Sequence, residues 1–180
     1  VHEPPAQCPC PPVECTPQRI AVDLIQNNEV DFVPVNPQFQ DFEALGTVFI
    51  FNDPLFNATN GFMEINNSFA NGFCTRTQNN ATMGNGGGLC TFVYTLTDSE
   101  NNNATFTAKG EVFDFDGGIL SITGGNKGFI GANGELEIIP FVGEFDTGGN
   151  LIGALQQWGG DFWDAEVYKV RAEFESGCEE

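Results

Sequence analysis

Apolar residues in this chain recur mostly at every second position, in short runs separated by polar clusters. IAVDLIQ (20–26), TVFIFN (47–52), SFANGFCTRT (68–77), LCTFVYTLT (89–97), ATFTAKGEVFDF (104–115), GILSIT (118–123), GELEIIPFVGEF (134–145) and AEVYKVRAEFE (165–175) all have this form. They are rich in Phe, Val, Ile and Thr, which suit a pleated, half-buried surface. In the last run Tyr168, Val170, Ala172 and Phe174 share one face, while Val167, Lys169 and Arg171 share the other. That is the alternation of a strand with an inside and an outside. The polar clusters read as turns. Asp116-Gly117 between two apolar runs is a strong hairpin signal, and SENNNAT (99–105) and TQNNATMGNGGG (77–88) read as hairpin tips. No run shows a helical period. The pattern predicts an all-β fold of seven or eight antiparallel strands, either a sandwich or a closed barrel.

The start of the chain breaks the pattern. Residues 1–18 hold six of the ten prolines and three of the six cysteines, and so much proline excludes helix and central strand. The chain therefore divides into an extended N-terminal arm (1–19) and a β domain (20–180). Cys8, Cys10 and Cys15 would staple the arm. Zinc is the rival reading, but C-x-C lacks the usual finger spacing and the only nearby histidine is His2. Disulfides are preferred and no metal site is expected.

Cys74 and Cys90 flank the tip at 77–88. A register placing Thr77 opposite Gly87 puts the two cysteines opposite each other, and the bridge would close a loop worth roughly 3 kcal/mol. The four remaining cysteines are Cys8, Cys10, Cys15 and Cys178, so Cys178 must reach back to the arm; its partner there is left open.

Six basic residues stand against twenty-five acidic ones, a formal charge of −19. Such a polyanion lacks the Lys and Arg that nucleic acid and anionic membranes require, and no run of apolar residues is long enough to span a bilayer. VHEPPAQCPCPPVEC has neither the basic start nor the apolar segment of a leader. The cysteines, together with N-x-[S/T] sequons at Asn57, Asn66, Asn80 and Asn103, point to a secreted glycoprotein whose leader has been removed.

Candidate chemistry is sparse. SITGGNKGFIGANGELEI (121–138) has the glycine density of a phosphate loop, but neither G-x-x-x-x-G-K-[S/T] nor G-x-G-x-x-G occurs in it, and strands flank it on both sides. Its glycines, Gly124, Gly125, Gly128, Gly131 and Gly134, read instead as a backbone corner, with Lys127 in solvent. A serine or cysteine triad needs a histidine base, and His2 is the only histidine. Asp114 and Asp116 supply half of a calcium loop and are read as hairpin residues. Trp158 and Trp163, flanked by Asp161, Asp164 and Glu166, mark either a ligand mouth or a covered barrel end, with the cover preferred.

Several segments resemble the dirigent proteins and the related allene oxide cyclases. IFNDPLFNATNG is similar to the dirigent "VFDDP" segment and SFANGFCTRT to the segment after it. ATFTAKGEVFDFDGGILSITGGNKGFIGANGELEI resembles the later strands, with their "ITGGTGxFxGAxGE" signature, and AEVYKVRAEFESGC resembles the last strand, whose final cysteine is bridged to the N-terminal region. The resemblance spans about residues 20–178. It implies an eight-stranded antiparallel β-barrel, often trimeric, with a pocket at one end for a small hydrophobic ligand and no redox cofactor.

It also implies candidate acids. Of the family's paired acids only Asp53 is kept, since Asn52 stands in the first position and an amide does not titrate. Glu111 matches a second acid loosely, and Arg76 or Arg171 could supply an arginine partner. Asp-Pro also favours turns, so Asp53 has a plainer role in ending the strand at residue 52. Two functions are carried forward. One is a non-catalytic extracellular subunit that associates with copies of itself, with the arm used in assembly. The other is a dirigent-type guide or isomerase with Asp53 as proton donor.

Overall fold

The computed structural model describes residues 18–35, 44–58, 64–78, 86–113, 116–148, 151–152, 156–157 and 162–176. Its strands are β1 (Gln18–Asn27), β2 (Val30–Val33), β3 (Val48–Asn57), β4 (Glu64–Gln78), β5 (Gly87–Thr97), β6 (Asn103–Phe113), β7 (Gly118–Gly125), β8 (Asn133–Val142), β9 (Gln156–Gln157) and β10 (Val167–Ser176). All eight alternating runs of the sequence are strands. The ten strands form one antiparallel sheet in the order β1-β10-β8-β7-β6-β5-β4-β3-β2, and β1 also pairs with β3, which closes the sheet on itself. β2 continues β1 and the two-residue β9 only pairs with the end of β8, so eight staves make the barrel.

β1 and β2 are one strand with an interruption. Gln26 faces Leu55 and Val30 faces Phe51, so both halves keep a single register against β3. The gap falls opposite Asp53-Pro54. Pro54 has no N–H to offer a neighbour, and the β3–β4 ladder also shifts register between Pro54 and Phe56. Asp-Pro therefore does not end β3 at residue 52, as the turn preference predicted. The strand runs through it to Asn57 and both adjoining ladders become irregular instead.

The inward positions follow strict alternation. Phe49, Phe51 and Leu55 on β3, Phe92 and Tyr94 on β5, Leu136 and Ile138 on β8, and Tyr168, Val170, Ala172 and Phe174 on β10 are all buried. Their rings touch from one barrel end to the other. Trp163 stacks on Phe49 with centroids 4.2 Å apart, and Phe162 stacks on Tyr168 at 4.3 Å. The contacts continue through Phe51, Phe92 and Tyr94 to Phe106, which meets Phe129 and Phe174 at the far end. Each contact buries a large apolar area and adds roughly 1 kcal/mol for ring geometry.

Both ends are shaped by features visible in the sequence. The turn Phe162–Asp164 lays the buried Trp163 across one end, as a cover; Trp158 and Asp161 lie outside the described residues. At the other end the glycine-rich stretch is a corner between β7 and β8. Gly131 takes φ of 70°, a conformation L side chains rarely adopt, and the turn Lys127–Phe129 carries Phe129 onto Phe106 and Phe174. Lys127 is exposed. The Asp116-Gly117 turn joins β6 to β7, with Phe113 and Gly117 exchanging backbone hydrogen bonds; Asp114 lies outside the described residues.

Cys74 and Cys90 are bonded directly across β4 and β5. One detail differs from the expected register: Gln78, not Thr77, faces Gly87, because a bulge follows Arg76. Gln18 pairs with Ser176, so the outer ends of the first and last staves are neighbours. Cys8, Cys10, Cys15 and Cys178 lie outside the described residues.

Candidate functional site

Among the described residues Asp53 is the acid that the barrel takes inside. Alternation on β3 sends residues 49, 51, 53 and 55 inward, and Asp53 is fully buried. Its carboxylate is not left unsatisfied. Oδ1 accepts the backbone N–H of Glu29 at 2.8 Å, and Oδ2 accepts Nε2 of Gln26 at 2.6 Å. The Glu29 amide lies in the gap between β1 and β2, where no ladder partner is available, so the side chain stands in for a missing backbone acceptor. Tyr94, inward on β5, donates its hydroxyl to Oε1 of Gln26 at 3.0 Å. Asn28, in the same gap, donates to the carbonyls of Trp163 and Ala165. The interruption is thus held by these side chains together with one backbone bond, from the Asn28 N–H to the Glu166 carbonyl.

Burial dominates the electrostatics here. It pushes the Asp53 carboxyl up to about 6, against the opposing pull of the Gln26 and Glu29 hydrogen bonds, with the Glu29 charge adding to the rise. Burial also raises the Tyr94 phenol well above its ordinary value, and the Asp53 charge adds to this. No cation among the described residues pairs with Asp53. A carboxyl of this kind can hold a proton near neutral pH, and its two oxygens are already engaged inside a packed barrel.

The other candidate residues do not converge on it. Glu111 stands exposed on the outer face of β6, in a surface groove of about 530 Å³ lined with Phe113, Asp116, Ile119 and Glu137. It is therefore no partner for Asp53. Arg171 lies on the outer face of β10, with Nε 4.0 Å from Oδ1 of Asp23. Arg76 does point inward and is buried, but near the Trp163 end, its guanidinium 5.8 Å from the indole ring centre. It is six positions along β4 from Ala70, the residue facing Asp53, which is on the order of 20 Å of strand. Asn52 faces outward beside Asn71.

Of the sequons, Asn66 and Asn103 are exposed and Asn57 is half-buried at the end of β3; Asn80 lies outside the described residues. Two polar members of the buried cluster, Gln26 and Tyr94, are not among the expected site residues. Their signal was present in the strand phase. Gln26 follows Ile20, Val22 and Leu24 on the inward face of β1, and a polar group in an apolar phase demands an inside partner.

No protein-family model matches this chain, and no curated protein matches it. Solved structures do. The pterocarpan synthase dirigent protein GePTS1 superposes with a TM-score of 0.62 at 15% sequence identity, covering 91% of this chain and 88% of its own. The pterocarpan synthase dirigent protein PsPTS1 gives a TM-score of 0.62 at 16% identity, covering 91% of this chain and 97% of its own. At such identity the likeness is one of fold: this chain has the barrel architecture of those dirigent proteins.

Proposed function

We propose that this protein is a secreted, non-catalytic barrel that works through its outer surface, as a self-associating extracellular subunit. One contrast carries the reading: the inside is filled with interlocked rings, while a stretch of the outer face on β3, β4 and β5 is uncharged and largely apolar. Outward on β3, β4 and β5 stand Val48, Ile50, Asn52 and Pro54, then Phe69, Asn71, Phe73 and Thr75, then Leu89, Thr91, Val93 and Thr95. Ile50 is 43% exposed and Phe73, directly beside it, 50%. In a chain of charge −19, these twelve uncharged outward positions form a surface on which two copies can approach with little repulsion. A disulfide at Cys74–Cys90 and exposed sequons at Asn66 and Asn103 fit an oxidising, extracytoplasmic setting.

The test is the native mass of the glycosylated protein at micromolar concentration. An oligomer that dissociates on Phe73→Asp, with the barrel still folded, supports the reading. A monomer in the unmodified protein overturns it.

A second reading is favoured by the Asp53 carboxyl, which at about 6 could deliver a proton near neutral pH. The pterocarpan synthases that share this barrel give it a chemical context. In this reading Asp53 acts as the acid toward a small hydrophobic substrate that displaces inner rings. Saturable quenching of Trp163 fluorescence by such a substrate, with turnover lost in Asp53→Asn, would separate it from the first.

A further inference from the structure

We propose that Asp53 is a proton-operated latch on the closing seam of the barrel: protonated it keeps β1 and β2 fastened to β3, and ionised it lets that seam open locally. This goes beyond both functional readings and depends on neither.

The seam closes the sheet on itself and is made in two pieces. β1 meets β3 through Leu24, Ile25 and Gln26 only, and β2 meets it through Val30 to Val33. On its other edge the same stave is unbroken: β1 pairs with β10 from Gln18 to Asn27. Residues 27–29 are the gap, and the Asp53 carboxyl is the group that bridges it. One oxygen holds the Glu29 amide just before β2, and the other holds the Gln26 side chain at the end of β1. A single titratable group therefore ties both halves of the broken stave to their neighbour.

The surroundings make that tie depend on the proton. From the gap, Glu29 presents a carboxylate whose charge opposes ionisation of Asp53. β4 presents Ala70 directly opposite, and β5 presents Tyr94, a neutral phenol. β10 presents Tyr168 opposite Gln26, with its hydroxyl given to the Phe162 carbonyl. Nothing in this shell offers a cation to an ionised carboxyl. Gln26 also gives the protonated acid a partner: with its amide turned over, Oε1 accepts the carboxyl proton and Nε2 donates to the Tyr94 oxygen. Opening the seam hydrates the carboxyl and returns it toward its ordinary acidity. The closed form thus binds the proton more tightly, and rising pH favours the open form.

The experiment is hydrogen exchange on the intact glycoprotein, corrected for intrinsic exchange rates, at a series of pH values. Residues 24–33 and 52–58 report on the seam, and residues 118–125 on β7 serve as reference. The seam's opening equilibrium should rise about tenfold from about pH 5 to about pH 7.5 relative to β7, with a midpoint near the Asp53 titration read from its carboxyl carbon resonance. Asp53→Asn should abolish the rise. Parallel behaviour of seam and β7 in the unmodified protein, or a rise that survives Asp53→Asn, overturns the latch. Should Asp53→Asn fail to fold, the comparison of seam with β7 and the match of midpoints decide alone.

Discussion

Cys74 and Cys90 face each other across β4 and β5 with Cα atoms 4.0 Å apart, and both are fully buried inside the barrel. The bridge joins β4 to β5 within their ladder, at a sequence separation of 16. Replacing both cysteines by Ala should cost roughly 3 kcal/mol of stability, read as a lower midpoint in denaturant. Because the sulfurs are sealed from solvent, mild reductant on the folded protein should leave the bridge intact until the barrel unfolds.

Asp53 gives the stability a pH dependence of definite sign. Its folded value of about 6 exceeds an unfolded value of about 3.9. The proton-linked stabilisation is therefore complete below about pH 4 and is lost as pH rises through 6, a change of about 3 kcal/mol. Denaturation at a series of pH values should show Asp53→Asn flattening this part of the curve while other carboxyls leave theirs in both proteins. Asp53→Ala, which strips the acceptor from the Glu29 amide, should be destabilised at every pH.

How much of this could be read from the sequence depends on whether the information is local. Period-two alternation is local, and it located every stave and told Tyr168, Val170, Ala172 and Phe174 from their outward neighbours. The Cys74–Cys90 pairing followed from a hairpin, whose register is fixed over a few residues. The bulge after Arg76 was not legible, because an extra residue leaves the composition of the strand unchanged. Asp53-Pro54 misled for the opposite reason. Its local preference is a turn, and burial of Phe51 and Leu55 on either side keeps β3 extended through it. The bond from Asp53 to Glu29 needs β1, β2 and β3 to be already placed, so no window of sequence contains it. Glu111 was a match of motif alone, and its position in the outward phase of β6, beside the buried Val112, argues against it.

Among the described residues Trp163 is the largest side chain covering its end of the barrel. It stacks on Phe49 at an interplanar angle of 11°, meets Phe162 edge-on and lies under the Arg76 guanidinium. Trp163→Ala should cost about 3–5 kcal/mol, read from denaturant midpoints. Trp163→Phe, which can still stack on Phe49, should lose much less.

Two glycines of the corner make a matched pair. A Cβ on Gly134 would lie 2.2 Å from the Glu173 carbonyl oxygen and 2.5 Å from Cα of Phe174, so β8 and β10 would have to part. A Cβ on Gly128 meets nothing within 4 Å. Gly134→Ala should lose on the order of 1–3 kcal/mol or more, and Gly128→Ala should stay near the unmodified midpoint. Thermal melts of the two variants side by side check both.

The order of the staves also sets a schedule for synthesis. From β3 to β8 each strand pairs with the one made just before it, so this meander can zip up as it leaves the ribosome. β1 cannot complete its ladder then. Its longest pairing is with β10, the last strand to be made, and until that arrives the first stave has an unpaired edge and exposed Leu and Ile side chains. The nascent chain must keep its earliest β segment from aggregating for the whole time of its own translation. Holding that segment quiet is then a task for whatever precedes or escorts it.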